Sequence, residues 1–266
     1  MAKAQIMGIL NVTPDSFFAG SRAFAVDQAV NLALKLAEDG ADILDIGGES
    51  TRPGSSPVSE EEELRRVIPV LKGLKGKLSI PISIDTTKPS VAKAAINAGA
   101  TLINDITGFI NPEMLKIAKE SDLQICVMHM QGTPKTMQQD PHYENGIISH
   151  LKNWFLERID TLTHLGIRPE KIILDPGIGF GKTVADNVKI IHNLPELKKL
   201  GFRLLLGASR KSFLGKILNQ PTQELLPATL AVNTLACVAG VDIIRVHDIK
   251  EHRAIVDLID TYTKQQ

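Results

Sequence analysis

The chain has 266 residues, 43% of them hydrophobic and 23% charged. That is the mixture of a folded globular domain and excludes disordered, collagen-like and coiled-coil classes. Thirty Lys plus Arg balance thirty Asp plus Glu, so no global field exists to hold a polyanion and nucleic acid is not an expected partner. A local cationic pocket for a small phosphorylated ligand stays open.

Reading from the N-terminus, apolar runs alternate with stretches of helical spacing. QIMGIL precedes a helical pattern from Val26 to Glu38, DILDIG one from Glu60 to Leu71, and ISID one from Ser90 to Asn97. LINDI precedes Pro112 to Lys119, and QICVMHM precedes Gly146 to Leu165. KIILDP, RLLLGAS and DIIRVHD are followed by patterns at Val184 to Asn193, Gln223 to Ala239 and Lys250 to Tyr262. Strand–helix alternation predicts parallel strands joined by right-handed crossovers, and near-continuous apolar strands fit a sheet buried on both faces. Eight units in about 250 residues is the size of a (β/α)8 TIM barrel. A doubly wound open sheet would give the same hydrophobic pattern. No linker or change of composition divides the chain, which predicts one domain over 1–266.

Cys126 and Cys237 both lie in apolar runs. Two cysteines cannot build a disulfide framework, and buried thiols in a reducing cytoplasm are expected. The segment MAKAQIMGIL lacks the pattern of a signal peptide, and no run reaches about 18 uninterrupted apolar residues. A cytoplasmic protein off the membrane is expected.

Asn11, Asp45, Asp85, Asn104, His129, Asp175, Ser209 and His247 all fall at or just past the C-terminal ends of the eight runs. One such residue reads as a helix cap or a turn. Eight of them, converging on the face where barrels place their active sites, read as a functional site.

The glycine-rich motifs narrow the chemistry. IILDPGIGFGKT is not a phosphate-binding P-loop, because Pro176 stands where that motif needs its first glycine and has no N–H to offer. Gly177, Gly179 and Gly181 instead suggest a flexible loop through which backbone approaches a flat ligand. GESTRPGSSP reads as a mobile loop after the second strand. GASRKSFLG follows the seventh run, with Ser212 opening a helical turn and Arg210 and Lys211 adding charge; helix N-termini favour anions. Arg245 and His247 are two apart, hence on one side of the eighth strand. His129, Asp140, His142 and Glu144 form no zinc pattern. Magnesium shared with substrate phosphates needs only one or two protein oxygens, which Asn11 and Asp15 can supply.

NVTPDSF at 11–17, DIGGESTRPG at 45–54, SIDT at 83–86 and INDITG at 103–108 together resemble the dihydropteroate synthase family. MHMQGTP at 128–134, LDPGIGFGKT at 174–183, SRKSFLG at 209–215 and RVHD at 245–248 continue the resemblance in order. It implies a (β/α)8 barrel, usually a homodimer. The implied reaction joins 6-hydroxymethyl-7,8-dihydropterin diphosphate to 4-aminobenzoate, a step of folate synthesis that sulfonamides inhibit. Matched by motif, pterin contacts fall on Asp85, Asn104, Asp175 and Lys211. Diphosphate contacts fall on Asn11, Thr51, Arg245 and His247, and Mg²⁺ on Asn11 with Asp15. The aminobenzoate pocket falls on Arg52, Pro53, Phe180, Lys211 and Ser212. Of these, Asn11, Lys211, Arg245 and His247 carry the catalytic assignment, since diphosphate departure followed by arylamine attack needs charge stabilisation and no strong base.

Two segments depart from the family pattern: Phe18-Ala19-Gly20-Ser21 replaces Ser-Asp-Gly-Gly, and Pro227-Ala228-Thr229-Leu230-Ala231 replaces a Gly-Ser-Leu-Ala-like stretch. The second is expected to affect helix packing or a dimer surface. Three rival readings are a pterin-dependent methyltransferase, a non-catalytic pterin-binding paralogue and an aldolase using Lys211 as a Schiff base. The intact STRPG and SRKS blocks and the retained anion-site residues argue against the first two.

Overall fold

A computed structural model describes residues 3–13, 22–51 and 54–264. The eight strands are β1 (Gln5–Asn11), β2 (Ile43–Gly47), β3 (Ile82–Asp85), β4 (Leu102–Asp105), β5 (Gln124–Met128), β6 (Ile172–Asp175), β7 (Arg203–Leu206) and β8 (Ile243–Val246). Each pairs in parallel with the next, and β8 returns to β1 through Gln5 opposite Ile243 and Met7 opposite Arg245. That last pairing closes the barrel and excludes the open sheet.

The helices are α1 (Arg22–Glu38), α2 (Glu60–Leu74), α3 (Pro89–Asn97), α4 (Pro112–Ser121) and α5 (Ile147–His164). Then come α6 (Val184–His192), α7 (Leu194–Lys198), α8 (Ser212–Leu218), α9 (Leu226–Val238) and α10 (Ile249–Thr263). The expected helix from Gln223 begins three residues later, because Pro227 sits in the first turn, where its missing N–H costs nothing. The five-residue α7 is too short to register as a periodic pattern. Local chemistry sets other boundaries. Ser59 accepts from the Glu62 amide to cap α2, whose first turn carries four glutamates, and Thr183 with Asp186 forms a capping box on α6.

The period of two along each strand sorts the barrel into two environments. One set of alternate residues, including Leu44, Ile46, Ile84, Ile103, Val127, Leu174, Leu206 and Ile244, packs outward against the helices in the main core. The other set points inward. Met7, Ile43, Leu102, Cys126, Ile173, Leu205 and Ile243 form a separate, fully buried cluster that fills the barrel like a floor. Two residues further along the same strands stand Asp45, Asn104, Asp175 and Arg245, so the apolar floor carries a polar layer toward the C-terminal mouth. Both cysteines are buried and unbridged. Among the described residues no helix is long and apolar enough to cross a membrane.

Candidate active site

The polar layer is tied together across the barrel. Arg245 Nε donates to Asp45 Oδ2 at 2.5 Å and Nη2 donates to Asp85 Oδ2 at 2.8 Å. Asn104 Nδ2 donates to the same Asp45 oxygen at 3.1 Å. Strand register makes this possible: Gly47 lies opposite Asp85, and Asp85 opposite Asn104. Asp45 is wholly buried, and its Oδ1, like the Asn104 Oδ1, has no partner among the described residues. Buried acceptors of this kind suit a ligand that brings N–H donors.

Burial pushes the Asp85 carboxyl up to about 7; Arg245 opposes that rise, while Asp45, Glu63 and Asp105 reinforce it. Burial works against the Arg245 charge, but the Asp45 and Asp85 carboxylates outweigh it and hold the guanidinium ionised. The two bonds use two of the five N–H donors of the guanidinium. Asp175, at the end of β6, is also raised by burial, against the pull of the Gly177 amide, Lys211, Arg245 and Lys182. Its Oδ1 accepts from Gly177 N at 2.7 Å.

The loop after β6 differs from the expected flexible approach to a ligand. A Cβ on Gly177 would lie 2.0 Å from the His129 carbonyl oxygen, and one on Gly181 2.7 Å from the Gln131 oxygen, both at positive φ. These glycines therefore permit close packing against the chain after β5. The loop is pinned from several sides: Asn187 Oδ1 accepts from Gly179 N at 2.8 Å, Gln138 donates to Gly179 O at 2.6 Å, and Tyr143 Oη donates to Gly181 O at 2.6 Å. Pinning holds Phe180 in place, and Lys211 Nζ lies 4.1 Å from the centre of its ring.

Lys182 is buried and lowered to about 7 by burial, with Lys211 adding to the effect and Asp175 and Asp186 opposing it. It donates to the Phe180 carbonyl at 2.9 Å and to His129 Nδ1 at 3.0 Å. His129 Nε2 is in turn 3.0 Å from Nε2 of the exposed His150. Burial, then the charges of Lys182 and His150, lower His129 to about 2, so it stays neutral. His129 thus belongs to a packing network beside Trp154 and Tyr143.

At β7 and β8, Ser209 Oγ is 3.0 Å from His247 Nδ1. Lys211 is the N-cap residue and Ser212 the first residue of α8. Arg210 is taken up by an ion pair with Asp248 at 2.5 Å, so it is not a solvated surface cation. Its amide donates to Thr229 Oγ1 at 3.1 Å, and its φ is 54°. The Pro227–Ala231 departure therefore touches the segment that presents Lys211, beyond the expected helix packing. Asn11 ends β1 at the same mouth. Thr51 lines a cavity of about 240 Å³ between the loops after β2, β3, β4 and β5, together with Asp85, Thr86, Ile106 and Met130. Asp15, Arg52, Pro53 and the Phe18–Ser21 departure lie outside the described residues.

Three features escaped the sequence reading. Asp45 was visible as an inward polar residue, but its partner Arg245 is 200 residues away. Lys182 lies in the segment that fails the P-loop pattern, so its motif gives it no role. Lys88 joins Glu49 and the buried Glu63 by ion pairs, and no short motif marks that triad. Among the described residues no group of three or more His, Cys, Asp or Glu could hold a metal ion.

A polar donor–acceptor layer at the C-terminal mouth of a (β/α)8 barrel, flanked by cations at β7 and β8, is the kind of place where this fold binds small molecules. The profile of the family described as "Pterin binding enzyme" matches residues 7–247. The chain belongs to that family. It is 46% identical over 260 residues to a protein named dihydropteroate synthase from Synechocystis, covering 97% of this chain and 90% of that relative. The dihydropteroate synthase of Yersinia pestis, solved in complex with a sulfonamide drug, superposes with a TM-score of 0.93 at 42% identity, covering 98% and 95% of the two chains. That of Xanthomonas albilineans in complex with 7,8-dihydropteroate gives 0.89 at 37%, covering 98% and 94%.

Proposed function

We propose that this chain is a dihydropteroate synthase: it condenses 6-hydroxymethyl-7,8-dihydropterin diphosphate with 4-aminobenzoate, releasing diphosphate and 7,8-dihydropteroate for folate synthesis. The observation that carries the reading is the buried Asp45–Arg245–Asp85–Asn104 layer with acceptor oxygens left open, in a chain so similar over its length to enzymes of that name.

Asp85, Asp175 and Asn104 bind the pterin. Carboxylate oxygens accept the adjacent N–H groups of its aminopyrimidinone edge, and the Asn amide serves one donor and one acceptor. Lys211 closes the pterin from the β7 side. Asn11, Thr51, Arg245 and His247 receive the diphosphate as neutral or cationic donors. Arg245 does two jobs at once, since the same guanidinium neutralises Asp45 and Asp85. Phe180, Lys211 and Ser212 form the aminobenzoate pocket, its carboxylate at the N-terminus of α8, and the family motif adds Arg52 and Pro53 to it. Diphosphate leaves with its bonding electrons, and the cation left on the exocyclic methylene is delocalised into the pterin. The arylamine nitrogen then attacks and sheds one proton. Positioning and stabilisation of the leaving charge supply the rate.

The donor set fits magnesium. Asn11 offers one amide oxygen at the mouth, Asp15 a carboxylate in sequence reach, and no protein-only cage exists among the described residues; these residues would hold an ion shared with the substrate. Bound there, Mg²⁺ would neutralise the departing diphosphate.

The chain works as one domain over 1–266, in the cytoplasm, where its unbridged thiols stay reduced. A homodimer is supported by α9 and α10. These helices pack together and expose Leu235, Val238, Leu258 and Tyr262, with Leu258 70% exposed. Large apolar side chains exposed on two neighbouring helices favour association.

Genetic complementation tests the activity. A bacterium lacking its own synthase should grow without folate-pathway end products when it expresses this chain, and not with Asp175→Asn expressed to the same level. Failure of the wild-type chain to restore growth, with folded protein present, would overturn the reading.

A further inference from the structure

The loop after β2 carries Thr51, and Asp85 ends β3; one lysine joins their supports. Lys88, the N-cap residue of α3, lies three positions after Asp85. Its Nζ is 2.5 Å from Oε2 of Glu63, which is wholly buried in the first turn of α2, and it also pairs with Oε2 of Glu49. Glu49 stands two residues before Thr51, and its Oε1 accepts from the Val58 amide at 3.3 Å, so the same carboxylate clasps the far end of the loop. Arg66 adds a bond of 2.8 Å to the Gly48 carbonyl. The base of the loop is thus fixed at Gly48 and Glu49. Thr51, Glu49, Glu63 and Asp85 line one cavity.

The charges make Lys88 more than a strut. Without it, Glu63 would be a buried carboxylate stripped of this ion pair and set beside Glu49. Glu63 Oε1 already has no hydrogen-bond partner among the described residues. Like charges repel, and the segment from Glu49 to Thr51 lies outside the strand ladder that holds Asp85. Thr51 would move with it, while the strand that bears Asp85 stays in the barrel.

We propose that Lys88 is a positioning residue for the diphosphate end of the pterin substrate: by joining Glu49 to Glu63 it fixes Thr51 relative to Asp85. The inference rests on the reading that Thr51 receives the diphosphate, and the test separates the two.

The test compares two ligands by calorimetry on the full-length protein with Mg²⁺ present: the pterin diphosphate, and the same pterin bearing a free hydroxymethyl group. Lys88→Met should weaken the diphosphate about tenfold, the equivalent of one hydrogen bond to a charged group, and the alcohol less than about twofold. Lys88→Arg should restore the ratio. Lys88→Met combined with Glu63→Gln leaves no buried unpaired charge and so keeps the fold, yet lacks the tie to Glu49; it should show the same lost discrimination, which decides the matter if the single variant does not fold. Equal weakening of both ligands, or no change, in these variants would overturn the role of Lys88. Thr51→Ala reports on the underlying reading: if it leaves the ratio intact, the diphosphate assignment of Thr51 fails, and the positioning role with it.

Discussion

Asp85→Asn separates what this carboxyl costs the fold from what it gives the ligand. Burial, reinforced by Asp45, Glu63 and Asp105 and opposed by Arg245, raises Asp85 from 3.8 to about 7. A carboxyl whose folded pKa lies above its unfolded one favours the fold fully below the unfolded pKa, and that advantage drains away as pH rises to the folded one. The window here is pH 4 to 7. At about 1.4 kcal/mol for each tenfold change in proton affinity, the loss across it is about 4 kcal/mol. Asn has the same shape and never ionises. The ligand-free variant should therefore be more stable than wild type at pH 8, by up to about 4 kcal/mol, and equal to it near pH 4. Pterin affinity should move the other way, because the amide puts a donor where the ligand edge needs an acceptor. Wild-type affinity should itself climb about tenfold from pH 6 to its plateau above pH 7 as the carboxylate forms, and the variant should lack that step. Urea denaturation followed by the fluorescence of Trp154, the single tryptophan, gives the stabilities, and calorimetry gives the affinities. A variant less stable than wild type at pH 8, or a wild-type affinity flat between pH 6 and pH 8, would refute the reasoning.

Asp45→Asn should do the opposite to stability. It leaves the half-buried Arg245 with Asp85 alone and should cost about 3 kcal/mol in urea denaturation; a neutral effect would mean Arg245 does not depend on it. Gly177→Ala places a Cβ 2.0 Å from the His129 oxygen at positive φ, so a cost above about 3 kcal/mol and weakened pterin binding through Asp175 are expected, and an unchanged melting temperature would contradict the packing role of that glycine. Chelation with EDTA should stop turnover while leaving the melting temperature of the ligand-free protein unchanged, as no protein-only metal cluster exists among the described residues. A fall in melting temperature would point to a resident structural ion. Sulfonamide inhibition should be competitive with 4-aminobenzoate in initial-rate kinetics; inhibition independent of aminobenzoate would remove Phe180 and Ser212 from that pocket.

The eight strands were legible because they are apolar runs, most of them followed by a polar or glycine-rich cluster, and ISID matches β3 residue for residue. Closure was not legible, since it rests on Gln5 meeting Ile243, a pairing that hydrophobic periodicity does not encode. Asp85, Asn104 and Asp175 could be read as site residues from their motifs and their strand ends. Asp45 sat in the same row, but its role depends on sharing Arg245 with Asp85, which only the folded register reveals. The glycines after β6 show a different limit. Composition gave their conformational freedom but not its use, and the neighbouring carbonyls of His129 and Gln131 decide that they pack tightly. Lys88 and Glu63 carry no motif, and Glu49 lies in one that does not reveal its partners, because their pairing joins a loop and two helix starts far apart in sequence.

The most direct measurement is diphosphate release by the purified chain given the pterin diphosphate, 4-aminobenzoate and Mg²⁺. Release that requires both aminobenzoate and the metal, matched mole for mole by 7,8-dihydropteroate, is the predicted result. Tight pterin binding with no diphosphate released under those conditions would contradict the synthase reading and leave a pterin-binding protein without this chemistry.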